Sequence, residues 1–172
     1  MMRAMGPGSV SSLLKIGLDV FWFALIAATV LLVVWALTAL IVPGLGDATA
    51  AMLQVPVPRP MLAGALAFTA VYSGVLLLIV RGLRRIFLTM VAGDPFRPEN
   101  VSRLRGVGLG LAVMAALNLV GRNLAAWLMP GLTQPNNALP DLTAWFSVLV
   151  VFVLAEVFRE GARLRREAEL TI

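Results

Sequence analysis

The chain has 172 residues, of which 60% are hydrophobic and 13% charged, and its net charge is +5. Soluble domains are nearer half apolar and a quarter charged, so this composition excludes an ordinary water-soluble domain and indicates a single membrane domain over residues 1–172. Cysteine and histidine are absent; because the usual metal ligands and nucleophilic relays need them, we expect no enzyme, no cofactor and no metal site.

Four apolar runs follow along the chain, over residues 16–42, 61–80, 107–128 and 142–158. A helix of roughly 20 residues crosses a hydrocarbon core of about 30 Å at about 1.5 Å per residue. The sequence therefore predicts an all-α integral membrane bundle of four transmembrane helices, with short cytoplasmic helical extensions. The first run is longer than the about 7 to 15 apolar residues of a signal peptide, so we expect an uncleaved anchor.

The basic residues predict the orientation of these helices. Of the 14 lysines and arginines, twelve lie before the first span, between the second and third, or after the fourth, while Arg59 lies in an opposite loop and Arg122 within a span. Because positively charged segments stay in the cytoplasm, both termini are expected on the inner side of a bacterial cytoplasmic (inner) membrane. Trp127 and Trp145 near the outer span ends fit the headgroup layer.

The connections differ between the two sides. The outer ones are rich in proline and glycine and predict short, structureless turns over residues 43–60 and 130–141. In the cytoplasmic loop, residues 81–105, Pro98 and Glu99 predict the start of a helix that leads into the third span. The tail, residues 159–172, is expected to continue the fourth helix.

Two cytoplasmic segments resemble a known family. They are Gly93-Asp94-Pro95-Phe96-Arg97-Pro98-Glu99-Asn100-Val101-Ser102-Arg103-Leu104-Arg105 and Val157-Phe158-Arg159-Glu160-Gly161-Ala162-Arg163-Leu164, with the ending Leu170-Thr171-Ile172. Together with the four-span layout they resemble domain-of-unknown-function family 2975, small four-helix bacterial membrane proteins. Members often carry Ser or Thr where Arg97 stands, so a capping side chain is missing here. The resemblance implies no catalytic residues. It implies a cytoplasmic regulatory partner, because many members are encoded beside a small helix-turn-helix transcription regulator.

The inner loop holds the candidate docking residues, which are Asp94, Pro95, Phe96, Glu99 and Asn100. Lipid contact does not require this pattern, in which prolines stiffen the chain around an aromatic anchor. We therefore predict a regulatory membrane protein that engages a cytoplasmic partner through residues 93–105 and 159–172. Alternatively, ion pairs lock the loop against the tail, Asp94 or Glu99 with Arg163 or Arg166. Direct nucleic-acid binding is not expected, because orientation and anionic lipids account for the arginines.

Polar residues within the spans are the second set of candidates: Asn118, Arg122, Asn123 and Glu156. Intramembrane charges often mark ion pathways. The alternative function is therefore a small channel or transporter, a homo-oligomer in which Asn118 and Arg122 line an anion path. Otherwise Arg122, about 9 Å from the outer boundary, snorkels to the surface.

Three ion pairs are expected at the span ends: Arg122 with Asp47 or Asp141, Glu156 with Arg159 or Arg81, and Asp19 with Lys15. The small residues of the third span predict a seam where another helix approaches closely, formed by Gly106, Gly108, Gly110, Ala112 and Ala115.

Overall fold

The protein is described by a computed structural model over residues 10–52, 54, 57–128 and 141–170, and all regular structure among these residues is helical. The five helices are α1 (Val10–Ile41), α2 (Pro43–Met52), α3 (Arg59–Val91), α4 (Pro98–Leu128) and α5 (Leu142–Glu169). The predicted all-α class is confirmed.

Four of these helices are long and apolar enough to cross a membrane: Lys15–Ile41, Arg59–Val91, Pro98–Leu128 and Leu142–Ala168. Only 11% to 22% of the residues in each apolar window are buried within the protein. Large apolar side chains such as Leu31 and Phe146 are each 65% exposed. Water would penalise that much exposed apolar surface, whereas lipid accepts it. The four helices thus indicate a multi-pass membrane protein, as predicted.

Local sequence explains where the last two long helices begin. Pro98 and Glu99 open α4 as predicted, because proline tolerates the first helical position and a carboxylate favours the positive end of the helix dipole. Asp141 caps α5, and its carboxylate accepts hydrogen bonds from the backbone of Thr143 and Ala144 at 3.1 and 3.3 Å. The rest of the predicted outer turn before Asp141 lies outside the described residues.

Two predicted boundaries differ from the structure. The stretch after the first span was expected to be a structureless turn, but it forms α2. The expectation was wrong because Pro43 suits a helix start and the alanines that follow favour the helix, despite two glycines. In addition, α3 continues past Val80 to Val91, so only residues 92–97 of the predicted inner loop are non-helical.

The chain divides into two compact units. The first is Phe21–Leu77, and the second comprises the described residues before Phe21 and those from Leu78 onward. Within the first unit, the Thr29 and Ser73 hydroxyls lie 2.6 Å apart and join α1 to α3. Trp35 donates its indole N–H to the buried Thr49 hydroxyl at 3.0 Å, which holds α2 on α1.

The second unit is centred on a cluster in which three helices meet. Ile86 of α3, Leu104 of α4 and Ala155 of α5 are buried together, with Val151 and Phe158 packed against them. Burial of such side chains contributes roughly 1.5–3 kcal/mol each for the larger ones. This packing places the start of α4 beside the end of α5, where the candidate site lies.

The predicted small-residue seam is correct at two of its three glycines. A β-carbon on Gly110 would lie 2.6 Å from Ile79 of α3, and one on Gly108 would lie 3.2 Å from the ring of Phe152 of α5. Glycine at these positions lets both neighbours approach. Gly106, in contrast, has no neighbour within 4 Å of that position, so the Gly106–Gly110 spacing does not mark one continuous contact.

Asp19 has a different partner from the one expected. Its carboxylate pairs with Arg84 of α3 at 2.5 Å rather than with Lys15, one turn earlier on α1. Both side chains of the pair are 29% exposed. The local prediction was wrong because half-buried charges gain more from pairing across two packed helices than along one exposed helix face.

Candidate functional site

The end of α3 is built as a glycine-capped turn. The backbone N–H of Gly93 bonds to the carbonyl of Met90 at 3.0 Å, and that of Asp94 bonds to Thr89 at 3.1 Å. Gly93 has a φ of +81°, a conformation that side chains with a β-carbon rarely adopt. This pair of bonds is a Schellman motif, which ends the helix and turns the chain back sharply.

The side chain of Asn100 stabilises this turn. It is fully buried, and its amide donates to the Thr89 hydroxyl at 2.5 Å and to the Pro95 carbonyl at 2.9 Å. Its side-chain oxygen accepts a hydrogen bond from Arg103 at 3.0 Å. A buried amide is stable only with such partners. Asn100 therefore ties the end of α3, the turn and the start of α4 together.

Asp94 links the turn to the last part of α5. Its carboxylate accepts a hydrogen bond from Arg97 at 2.7 Å and also pairs with Arg165. The hydrogen bond from Arg97, aided by the positive charge of Arg165, holds the pKa of the Asp94 carboxyl below its usual value against partial desolvation. Asp94 is thus ionised at neutral pH and bridges two arginines from different elements.

Phe96 packs onto the same face of α5. Its ring centroid lies 5.5 Å from that of Phe158, and its edge covers Gly161. A β-carbon at Gly161 would lie 2.6 Å from Cδ1 of Phe96. We call this set of contacts the loop–tail junction; its members are Asp94, Phe96, Asn100, Phe158, Gly161 and Arg165.

The predicted docking residues are therefore mostly engaged within the chain. Asp94, Phe96 and Asn100 belong to the junction, and the Pro95 carbonyl accepts a bond from Asn100. Glu99 is exposed in the first turn of α4. An ion pair joins the loop to the tail, as predicted by the alternative to partner docking. The arginine predicted for this pair was wrong, because Asp94 pairs with Arg165 and not with Arg163 or Arg166.

Helical geometry explains that choice. Phe158, Gly161 and Arg165 follow one another at spacings of three and four residues, so they lie on one face of α5. Arg163 lies well off that face and pairs instead with Glu160 at 2.7 Å and Glu167 at 3.4 Å. The spacing of Phe158, Gly161 and Arg165 is a sequence signal of this shared face, whereas the prediction of Arg163 or Arg166 rested on charge alone.

A groove opens beside the junction. Its volume is about 440 Å³, and it runs between the first turn of α4 and the last turns of α5. The residues that line it are Pro98, Val101, Arg159, Ala162, Arg163, Arg166, Glu167 and Leu170. A groove of this size falls within the range of about 300–1,000 Å³ common for ligand sites.

The intramembrane candidates do not converge on one site. Asn118 and Asn123 are exposed, and Asn123 donates to the Leu119 carbonyl of its own helix at 2.7 Å. Nε of Arg122 is buried and has no hydrogen-bond partner within the described parts of the chain. Glu156 pairs with Arg159, one of its two expected partners, with Nε at 2.9 Å from Oε1.

The two carboxylates expected near Arg122 have other roles. Asp47 binds Arg59 through two hydrogen bonds of 2.7 Å, and Asp141 caps α5. Two oxygens of one carboxylate match the planar guanidinium fork of Arg59. Asp141 is thus engaged at the start of α5, and the pairing of Arg122 with Asp47, which belongs to the other compact unit, stays a prediction. Among the described residues, no group of three or more acidic side chains is placed to hold a metal ion.

Comparison with known proteins identifies the family. The family model described as "Protein of unknown function (DUF2975)" matches residues 45–172. No curated protein and no solved structure matches the chain. The family match covers both the α3–α4 turn and the end of α5, and so includes every residue of the loop–tail junction. The resemblance seen in the sequence is thereby confirmed: the chain belongs to the DUF2975 family of proteins of unknown function.

Proposed function

We propose that this protein is a regulatory docking protein of the bacterial cytoplasmic membrane, and that it holds a cytoplasmic protein through the α3–α4 turn and the end of α5. The observation that carries the proposal is the loop–tail junction. A membrane anchor needs only apolar spans and flanking charges. The junction adds three features outside the apolar runs: a capped turn, the buried Asn100 and the ring of Phe96, which packs against α5. Together they form a defined surface.

The orientation belongs to the same proposal. Twelve of the 14 basic residues lie on the side that holds both termini and the α3–α4 turn. The positive-inside rule assigns that side to the cytoplasm. The proposal includes no reaction, because the chain has neither histidine nor cysteine for general base or nucleophile chemistry. A helix-turn-helix regulator is the kind of partner that the family resemblance implies.

Reporter fusions test the orientation. Fusions after Gly93 and Ile172 are expected to report the cytoplasm, and fusions after Asp47 and Asn137 the opposite side. An outside signal at Gly93 or Ile172 contradicts the proposed topology and removes the docking surface from the cytoplasm.

Site-specific crosslinking in native membranes tests the docking. A photoreactive residue at the exposed Glu99 is expected to capture one cytoplasmic protein, which in turn retrieves this chain in a reciprocal pull-down. The matched control is Phe146, which is exposed on the apolar part of α5 and should capture only lipid or membrane protein. If Glu99 captures no cytoplasmic protein, the docking function is wrong.

One observation favours a second candidate, the oligomeric anion channel or transporter. Among the described residues the buried Arg122 Nε has no hydrogen-bond partner, and intramembrane charges of this kind often mark ion pathways. Anion flux into liposomes that disappears in Arg122→Leu, and persists in the neighbouring Asn123→Leu, would support this candidate. Equal flux in both variants and in empty liposomes would dismiss it.

A further inference from the structure

The groove beside the loop–tail junction has an apolar floor and a basic rim. Val101 is buried in the floor, and Leu170 at the far end is 82% exposed. Arg159, Arg163 and Arg166 line one wall together with Glu167, and Glu156 and Glu160 pair with two of these arginines. An apolar patch bordered by arginines has the composition of a protein-binding surface, where arginine is enriched.

Two arginines of this wall already form ion pairs, but an acidic ligand can replace these pairs. Arg163 is 63% exposed while paired with Glu160 and Glu167, and Arg159 is 59% exposed while paired with Glu156. Exposed pairs of this kind are weak and exchange readily. An incoming carboxylate can therefore exchange with Glu156, Glu160 or Glu167 for these arginines.

The length of the groove distinguishes a protein ligand from a lipid headgroup. Arg159 is among the first charged residues that follow the apolar part of α5, and Leu170 lies eleven residues further on. At about 1.5 Å per residue the groove reaches about 16 Å beyond Arg159. The headgroup layer on one side of a bilayer is only about 5–8 Å thick. Leu170 thus lies beyond the headgroup layer, whereas the long side chains of Arg163 and Arg166 can still reach it, so the exposed Leu170 is the feature that favours a protein ligand.

We propose that this groove binds an acidic, amphipathic segment of a cytoplasmic protein. Carboxylates of the segment pair with Arg163 and Arg166, and an apolar side chain packs between Val101 and Leu170, as in helix-in-groove recognition. This inference rests on the proposed docking function and locates its contact surface. Asp94 and Phe96 then act as positioning residues, because they hold the start of α4 against α5 and so shape the groove.

Peptide binding to the full-length protein tests the proposal. The protein is placed in nanodiscs of zwitterionic phosphatidylcholine, which has no net charge, and the probe is a fluorescent helical peptide with glutamates on one face and leucines on the other. The double variant Arg163→Gln/Arg166→Gln is expected to bind the peptide about tenfold more weakly. Arg85→Gln/Arg105→Gln removes the same charge from exposed positions outside the groove and should change the affinity by less than about twofold.

Three results overturn the groove assignment. The first is equal binding of the peptide by the two double variants. The second is equal binding of a control peptide in which lysine replaces each glutamate. The third concerns phosphatidylglycerol, whose retention is measured by native mass spectrometry. If the wild type retains this lipid and Arg163→Gln/Arg166→Gln loses it, while both bind the peptide equally, the groove is a lipid site.

The groove assignment and the docking function fail in different ways. If the protein captured at Glu99 is still captured in Arg163→Gln/Arg166→Gln, the partner docks elsewhere, and the groove assignment alone is wrong. If Glu99 captures no cytoplasmic protein in the wild type, the docking function fails and the groove assignment falls with it. Loss of the captured protein in the groove variant, but not in Arg85→Gln/Arg105→Gln, supports both.

Discussion

The ring of Phe96 occupies the space that a β-carbon at Gly161 would need, since such a carbon would lie 2.6 Å from Cδ1 of the ring. Gly161→Ala should therefore force the ring away and loosen the junction. Overpacking costs about 1–3 kcal/mol, and the better helix propensity of alanine returns up to about 1 kcal/mol. We expect a net loss of about 1 kcal/mol, measured as a lower melting temperature in detergent.

Two controls separate this clash from a general effect of alanine in α4 or α5. Gly106→Ala enters open space and is expected to be neutral or to stabilise the protein by up to about 1 kcal/mol. In a Phe96→Ala background the clash is gone, so Gly161→Ala should no longer destabilise. If the effects of Phe96→Ala and Gly161→Ala on stability are instead additive in the double variant, the ring does not occupy the space beside Gly161.

Removal of the Asn100 side chain should weaken the whole turn. Asn100→Ala leaves the Pro95 carbonyl unsatisfied and opens a cavity at a fully buried position. We expect a loss of about 2–4 kcal/mol in the free energy of unfolding, measured by thermal or denaturant melting. Asn123→Ala, at an exposed asparagine whose amide donates to the Leu119 carbonyl of its own helix, is the matched control and should cost less than about 0.5 kcal/mol. Similar losses in the two variants would contradict the central role of Asn100.

The junction should weaken in acid because of Asp94. A carboxyl whose folded-state pKa is lowered contributes stability above its unfolded pKa, about 3.9, and loses it as the pH falls through the folded-state pKa. Wild type should therefore melt at a higher temperature than Asp94→Asn at neutral pH; this difference should begin to narrow below about pH 3.9 and vanish once the pH falls below the folded-state pKa. In an Arg165→Gln/Arg97→Gln background, Asp94→Asn should give a much smaller gap at every pH. An undiminished difference in melting temperature in that background, or a difference that persists in strong acid, would contradict the ion pairing of Asp94.

The ion pair between α1 and α3 should matter more than the exposed pair near α2. Asp19→Asn removes the carboxylate from the half-buried Arg84, and we expect a loss of about 1–3 kcal/mol. Asp47→Asn removes the partner of the more exposed Arg59 and should change the melting temperature little. The double variant Asp19→Leu/Arg84→Leu should recover part of the loss, since no charge then remains in the half-buried site. A double variant that melts below Asp19→Asn would show that the pair itself is needed.

Local sequence determined the membrane class, the four spans and several helix ends. Apolar runs long enough to cross a bilayer have few alternatives, because an unpaired backbone in lipid is too costly. Pro98 and Glu99 marked the start of α4 because a proline and a carboxylate at a helix start act through their own backbone and the helix dipole. The missed helix α2 shows the limit of such rules: its glycines and proline predict a turn, whereas its alanines and the contact of Trp35 with Thr49 favour a helix.

Tertiary structure alone decided which charged groups meet across different helices. From the sequence, the expected partner of Asp19 was Lys15, and that of Asp94 was Arg163 or Arg166. In the folded chain, Asp19 pairs with Arg84 and Asp94 pairs with Arg165. Spacing along one helix predicts only neighbours on that helix. Partners on different helices depend on the rotation of each helix about its axis, which packing at Ile86, Leu104 and Ala155 sets for α3, α4 and α5. The same packing buried Asn100, placed the partly exposed ring of Phe96 against Phe158 and Gly161, and left the arginine-lined groove open.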